Sequence, residues 1–74
     1  MDIVAKRLVQ LRAERGETQT AVAKVLHITN PAVCCWENGR RHYPLWAVIE
    51  LCKHYGVSAD WVLGLSEERE RRWS

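Results

Sequence analysis

The sequence predicts an all-α chain of five short helices, on three observations. Apolar residues recur three and four positions apart, while the alternating β-branched runs that announce strands are few. Gly16, Gly39, Gly56 and Gly64 separate those periodic segments, where helix-ending glycines belong. Asp2, Thr18, Thr29 and Ser58 each stand just ahead of a segment, placed to cap it. With 74 residues the chain serves one small core. Such a chain buries only about 60% of its unfolded surface, so each large apolar residue counts.

The first helix is expected from Asp2 to Arg15, with Val4, Leu8 and Leu11 inward and Gly16 ending it. Thr18 caps the second, which turns Val22, Ala23 and Leu26 inward and ends near Leu26. His27-Ile28-Thr29 breaks the chain before the third helix, which runs from Asn30 to about Asn38 and stops at Gly39. Pro31 suits its first turn, because an amide there has no helical partner. Val33 and Trp36 form the inward pair. Arg40-Arg41-His42-Tyr43 is a basic loop. Pro44 opens the fourth helix, in which Leu45, Val48, Ile49, Cys52 and Tyr55 repeat at helical spacing up to Gly56. Ser58 caps a fifth containing Trp61, Val62 and Leu65. Trp36, Trp46 and Trp61 are expected to build core. Residues 66–74 read as a short charged tail or helix extension, with Glu67/Arg71 and Glu68/Arg72 four apart in the favourable order.

Two short helices joined by three residues make a helix-turn-helix, the unit that lays its second helix in the DNA major groove. The net charge of +2 is a weak pointer by itself. Its cations concentrate before Tyr43, at Lys6, Arg7, Arg12, Arg15, Lys24, Arg40 and Arg41. No apolar run approaches the roughly 18–20 residues that span a bilayer, and the start lacks the pattern of a signal peptide. Three cysteines, two of them adjacent, make no disulfide framework and favour a reducing cytoplasm. No zinc site is expected: Cys34 and Cys35 diverge by about 100° on a helix, and Cys52 lies on an apolar stripe. No cofactor is implied. An enzyme is excluded on the lack of paired carboxylates, a phosphate loop or a nucleophile with its base.

The run Leu8-Val9-Gln10-Leu11-Arg12, Gly16-Glu17-Thr18-Gln19, Ala23, Leu26, Ile28-Thr29, Val33 and Trp36-Glu37-Asn38-Gly39 resembles the Cro/repressor-type (Xre-like) helix-turn-helix family. Pro44 and Gly56-Val57-Ser58-Ala59-Asp60-Trp61-Val62-Leu63-Gly64 continue the likeness, which covers roughly residues 5–65. It implies a five-helix lambda-repressor-like DNA-binding domain over residues 1–65, with its motif at residues 19–38. His27 departs from the glycine that family prefers in the turn; His is among the residues that tolerate a left-handed backbone.

The resemblance implies phosphate contacts from Thr18, Gln19, Thr29, Asn38, Arg40 and His42. Gln19, at a helix N-terminus, can donate to a phosphate oxygen and still lean on a neighbour. With Val33 and Trp36 inward, the base-reading side is left to Asn30, Pro31, Ala32, Cys34 and Cys35. Asn30 can pair with adenine through two hydrogen bonds, and Pro31 and Ala32 can touch a thymine methyl. The two thiols replace the family's usual polar residues, and an oxidised thiol there would repel phosphate. Arg12 and Glu37 match a pair that forms a salt bridge in the family. Trp61, Leu65 and Trp73 are the candidates for a self-complementary patch.

The resemblance therefore implies a sequence-specific regulator of double-stranded DNA in the bacterial cytoplasm, a repressor that binds a pseudo-palindromic operator as a homodimer. The alternative is an antitoxin-like or accessory DNA-binding protein whose main task is holding a protein partner. An exposed, unpaired apolar patch would mark that second kind.

Overall fold

The computed structural model describes residues 2–70. Asp2 starts the first helix by accepting a hydrogen bond from the Ala5 amide at 2.8 Å, and α1 spans Ile3–Glu14. Thr18 does the same for α2, Gln19–Leu26, through Ala21 at 3.0 Å. Thr29 caps α3, Asn30–Glu37, and Pro44 leads without a side-chain cap into α4, Leu45–Tyr55. Ser58 caps α5, which is a single turn, Ala59–Val62.

α3 packs against α1 and α2, α4 against α2 and α5, and α5 against α1. Leu8, Leu11, Val22, Leu26, Val33, Leu51 and Val62 meet in the centre of one core. A side pair fastens the α1–α2 turn to α4. The Glu17 carboxylate accepts from the Tyr55 hydroxyl at 2.8 Å and meets His54 Nε2 at 2.7 Å.

The inward face of α4 differs from the expected one. Leu45 and Ile49 are exposed, and Ala47 and Leu51 are buried in their place. α4 carries two overlapping apolar stripes, so its spacing alone is ambiguous; the stripe containing the small Ala47 is the one turned inward. For a similar reason Ala5 is buried on α1 while Val4 is only partly so. Trp46 is not core either: it is 47% exposed, with its ring edge against Trp36 at 6.2 Å.

The region after α5 departs most from expectation. Gly64 adopts φ +81°, and the Leu65 amide donates back to the Asp60 carbonyl at 2.8 Å, a glycine-terminated helix end. Leu65 thus lies outside the helix, and residues 66–70 do not extend it. They run back along α5, where the Ser58 amide donates to the Arg69 carbonyl at 2.8 Å and Val57 and Glu70 form an isolated antiparallel bridge. Glu67 pairs with Arg7 at 3.0 Å, and Arg69 pairs with Glu14. The expected partners Arg71 and Arg72 lie outside the described residues, as does Trp73. Arg7 and Arg69 sit over the two-ring face of Trp61, their guanidinium carbons 4.6 and 5.2 Å from its ring centroid.

Candidate nucleic-acid interface

The turn between α2 and α3 rests on His27, which takes the left-handed conformation with φ 56° and ψ 44°. Its neighbour's amide, Ile28 N–H, donates to the Ala23 carbonyl at 3.0 Å, closing the end of α2. Thr29 then returns to extended backbone and caps α3 at once. A tight reversal therefore delivers the N-terminus of α3 to the surface without an intervening loop.

Three residues hold α3 down. Val33 is completely buried, Trp36 is buried against Tyr43 at 5.3 Å, and Glu37 is 8% exposed. At about 100° per residue these three share one side of the helix. The rest faces outward: Asn30, Pro31 and Cys34 are exposed, and Ala32 and Cys35 are partly so. No other part of the described chain covers that side.

Among the described residues Glu37 is the one buried charged group, and it is fully engaged. Its carboxylate accepts from Arg12 Nε at 2.7 Å, Arg12 Nη2 at 3.0 Å and Gln19 Nε2 at 3.0 Å. Arg12 also donates to the Glu17 carbonyl at 2.9 Å. The hydrogen bond that Arg12 donates to Glu37 raises the Arg12 pKa above its ordinary value, against the opposing effect of burial. Helices α1, α2 and α3 are thus tied at one carboxylate, which sets the pitch of α3 relative to the other two.

The expected phosphate contacts fall into two groups around this face. Thr18 and Thr29 use their hydroxyls as helix caps, at the same termini where free amides favour an anion. Gln19 gives one amide hydrogen to Glu37 and keeps a second for a ligand. Asn38 lies at the far end of α3, where its amide nitrogen approaches Cys34 Sγ at 3.8 Å and its oxygen accepts the Arg40 amide at 3.0 Å. The Arg40 and Arg41 amides both donate to the Cys35 carbonyl, at 3.0 and 3.3 Å, folding the basic loop onto the negative end of α3. His42 points elsewhere, its Nδ1 3.2 Å from Asp2. That contact follows the Ala5 amide as a reason why the Asp2 pKa is lowered.

A model of the helix-turn-helix domain family matches residues 3–72. The chain belongs to that family. Comparison with curated proteins finds no match. As a helix-turn-helix protein it is a DNA-binding regulator and not an enzyme. This membership agrees with the resemblance carried by Trp36-Glu37-Asn38-Gly39 and the segment from Gly56. Among the described residues no helix is long and apolar enough to cross a membrane, and no three His, Cys, Asp or Glu side chains gather as metal ligands would.

One feature of this helix-turn-helix is not legible in the sequence. Nothing in residue spacing shows that Gln19 and Glu37, eighteen positions apart, share a hydrogen bond. The indole of Trp61, expected to build core and also offered for a self-association patch, is core: it is only 7% exposed and enclosed by Arg7 and Arg69 of its own chain. Leu65 stays open at 77% exposure, beside Ile3 and Leu63 on the same shallow groove.

Proposed function

We propose that the protein is a cytoplasmic transcriptional repressor that inserts α3 into the major groove of a pseudo-palindromic operator and binds as a homodimer. The observation that carries this reading is the uncovered outer side of α3, fixed from behind by Val33, Trp36 and Glu37. Asn30, Pro31, Ala32, Cys34 and Cys35 meet base edges in this reading. Thr18, Gln19, Thr29, Asn38 and Arg40 grip the flanking backbone. His42 joins them by leaving Asp2, an exposed partner whose loss costs little.

Dimer formation would use the exposed strip of Ile3, Leu63 and Leu65, together with Trp73, which lies outside the described residues. A second reading has its own observation behind it. Leu45, at 69% exposure, Trp46 and Ile49 share one side of α4, an apolar patch suited to a protein partner.

Selection of bound duplexes from random DNA tests the first reading, followed by the salt dependence of binding to the selected site. A two-fold symmetric site with a steep salt slope supports a homodimeric repressor. Equal binding to all duplexes and to other polyanions refutes it. Sedimentation with and without the selected duplex separates the second reading. A chain that stays monomeric on DNA, and becomes stoichiometric only with an added protein, is an accessory factor.

A further inference from the structure

We propose that α3 recognises its half-site mainly through pyrimidine 5-methyl groups, so that the site is defined by thymines and is sensitive to cytosine methylation. The inference rests on the reading that α3 enters the major groove, and it concerns what the helix can read there.

The outer side of α3 has an unusual chemical makeup for that task. Two amides, Asn30 and Asn38, bound it at either end, and between them lie Pro31, Ala32, Cys34 and Cys35. None of these four offers a strong donor or acceptor, since a thiol is a weak hydrogen-bonding group and behaves as a small hydrophobe. The helix holds no Arg, Lys or Gln, so the commonest contact to guanine is not available from it. Its one carboxylate, Glu37, could have accepted from a cytosine amino group, but it is buried on the opposite side under Arg12 and Gln19. Arg40 and Arg41 follow the helix, pinned through their backbone to Cys35 at its C-terminal end, away from the N-terminal turn that meets bases.

Of the groups a base pair shows in the major groove, only the C5-methyl of thymine is apolar. Pressing Pro31, Ala32, Cys34 or Cys35 against guanine or cytosine would strip water from polar edges and return no partner. Against a thymine methyl the same contact removes apolar surface from water on both sides. Asn30 adds a single adenine at the start of the helix. A 5-methylcytosine carries the methyl group in the same position and so becomes a partial thymine mimic.

The test starts from the selected duplex and the unmodified protein, followed by two cysteine variants. Each thymine facing α3 is replaced in turn by deoxyuridine, which removes the methyl and keeps base pairing, and Kd is read by fluorescence anisotropy. Burial of one methyl-sized group corresponds to about a fourfold loss of affinity per position. Replacing a facing T·A pair by 5-methylcytosine·G is expected to bind about fourfold more tightly than replacing it by cytosine·G. Cys34→Ser and Cys35→Ser, with the fold checked by circular dichroism, should shrink the deoxyuridine penalty at the thymine each one touches. Kd values unchanged by deoxyuridine overturn the proposal, as does a penalty that neither variant alters or a selected half-site dominated by guanine contacts. A selection that enriches no duplex at all instead overturns the groove-binding reading beneath it.

Discussion

Replacing Glu37 by Gln tests the junction on which the orientation of α3 depends. The substitution keeps the shape and removes the charge. It also replaces one acceptor oxygen by an amino group facing the Arg12 and Gln19 donors, so of three hydrogen bonds at 2.7, 3.0 and 3.0 Å at least one is lost. The Glu37 side chain is 9% exposed and that of Arg12 21% exposed, so the guanidinium left behind is only partly rescued by water. Breaking a buried pair costs about 3–5 kcal/mol, and the partial opening at Arg12 argues for about 3 kcal/mol. In a domain of this size 1 kcal/mol moves Tm by about 4–8 °C, so Glu37→Gln should lower it by about 12–24 °C. Thermal unfolding followed by circular dichroism measures this directly. The double variant Arg12→Met with Glu37→Leu should recover most of the loss, because neither charge is then left alone. A fall of less than about 4 °C would place the pair with surface ion pairs of ~0–1 kcal/mol and refute the reasoning.

Other perturbations probe separate parts of the molecule. His27→Gly removes left-handed strain of about 1–2 kcal/mol and adds unfolded-state freedom worth about 0.5–1 kcal/mol, so Tm should rise by a few degrees in the same thermal assay. Glu17 is drawn upward by burial but held below its ordinary value of 4.5 by hydrogen bonds from His54 and Tyr55. The stability it contributes is therefore complete above pH 4.5 and lost as pH falls through the folded value, a limb that Glu17→Gln should abolish in urea midpoints. Tyr55 is raised from 10.0 by burial and then by its bond to Glu17. Its contribution is intact below pH 10 and fades as pH rises, and Tyr55→Phe should flatten that limb. On DNA, Asn30→Ala should relax preference at one adenine by about 1–3 kcal/mol, whereas Arg40→Ala should weaken all duplexes alike and lower the salt slope by about 1, both read by anisotropy titration.

Features governed by neighbours along the chain were legible before any coordinates. The caps Asp2, Thr18, Thr29 and Ser58 all accept the amide three residues on. His27 does carry the left-handed turn, and Val33 and Trp36 divide α3 into a buried side and an open one. Each is settled within about four residues by sterics, a hydroxyl or a helical period, and those act in any surrounding.

Other features depended on partners far away in sequence. Leu45 and Ile49 match the helical period of α4 as well as Ala47 and Leu51 do, and the packing of α4 against α2 and α5 turned the second pair inward. Residues 66–70 have the charge order of a helix end. Yet Arg7 takes Glu67, Glu14 takes Arg69, and the Ser58 amide takes the Arg69 carbonyl, so the segment reverses across α5 and Trp61 is sealed inside. Residue spacing alone does not pair Glu37 with Arg12, which only the family resemblance implied, nor does it show that Gln19 converges on the same carboxylate from a third helix. Local rules state which side of a helix can be buried; only the competition among assembled elements for one small core decides which side is, and which charges meet there.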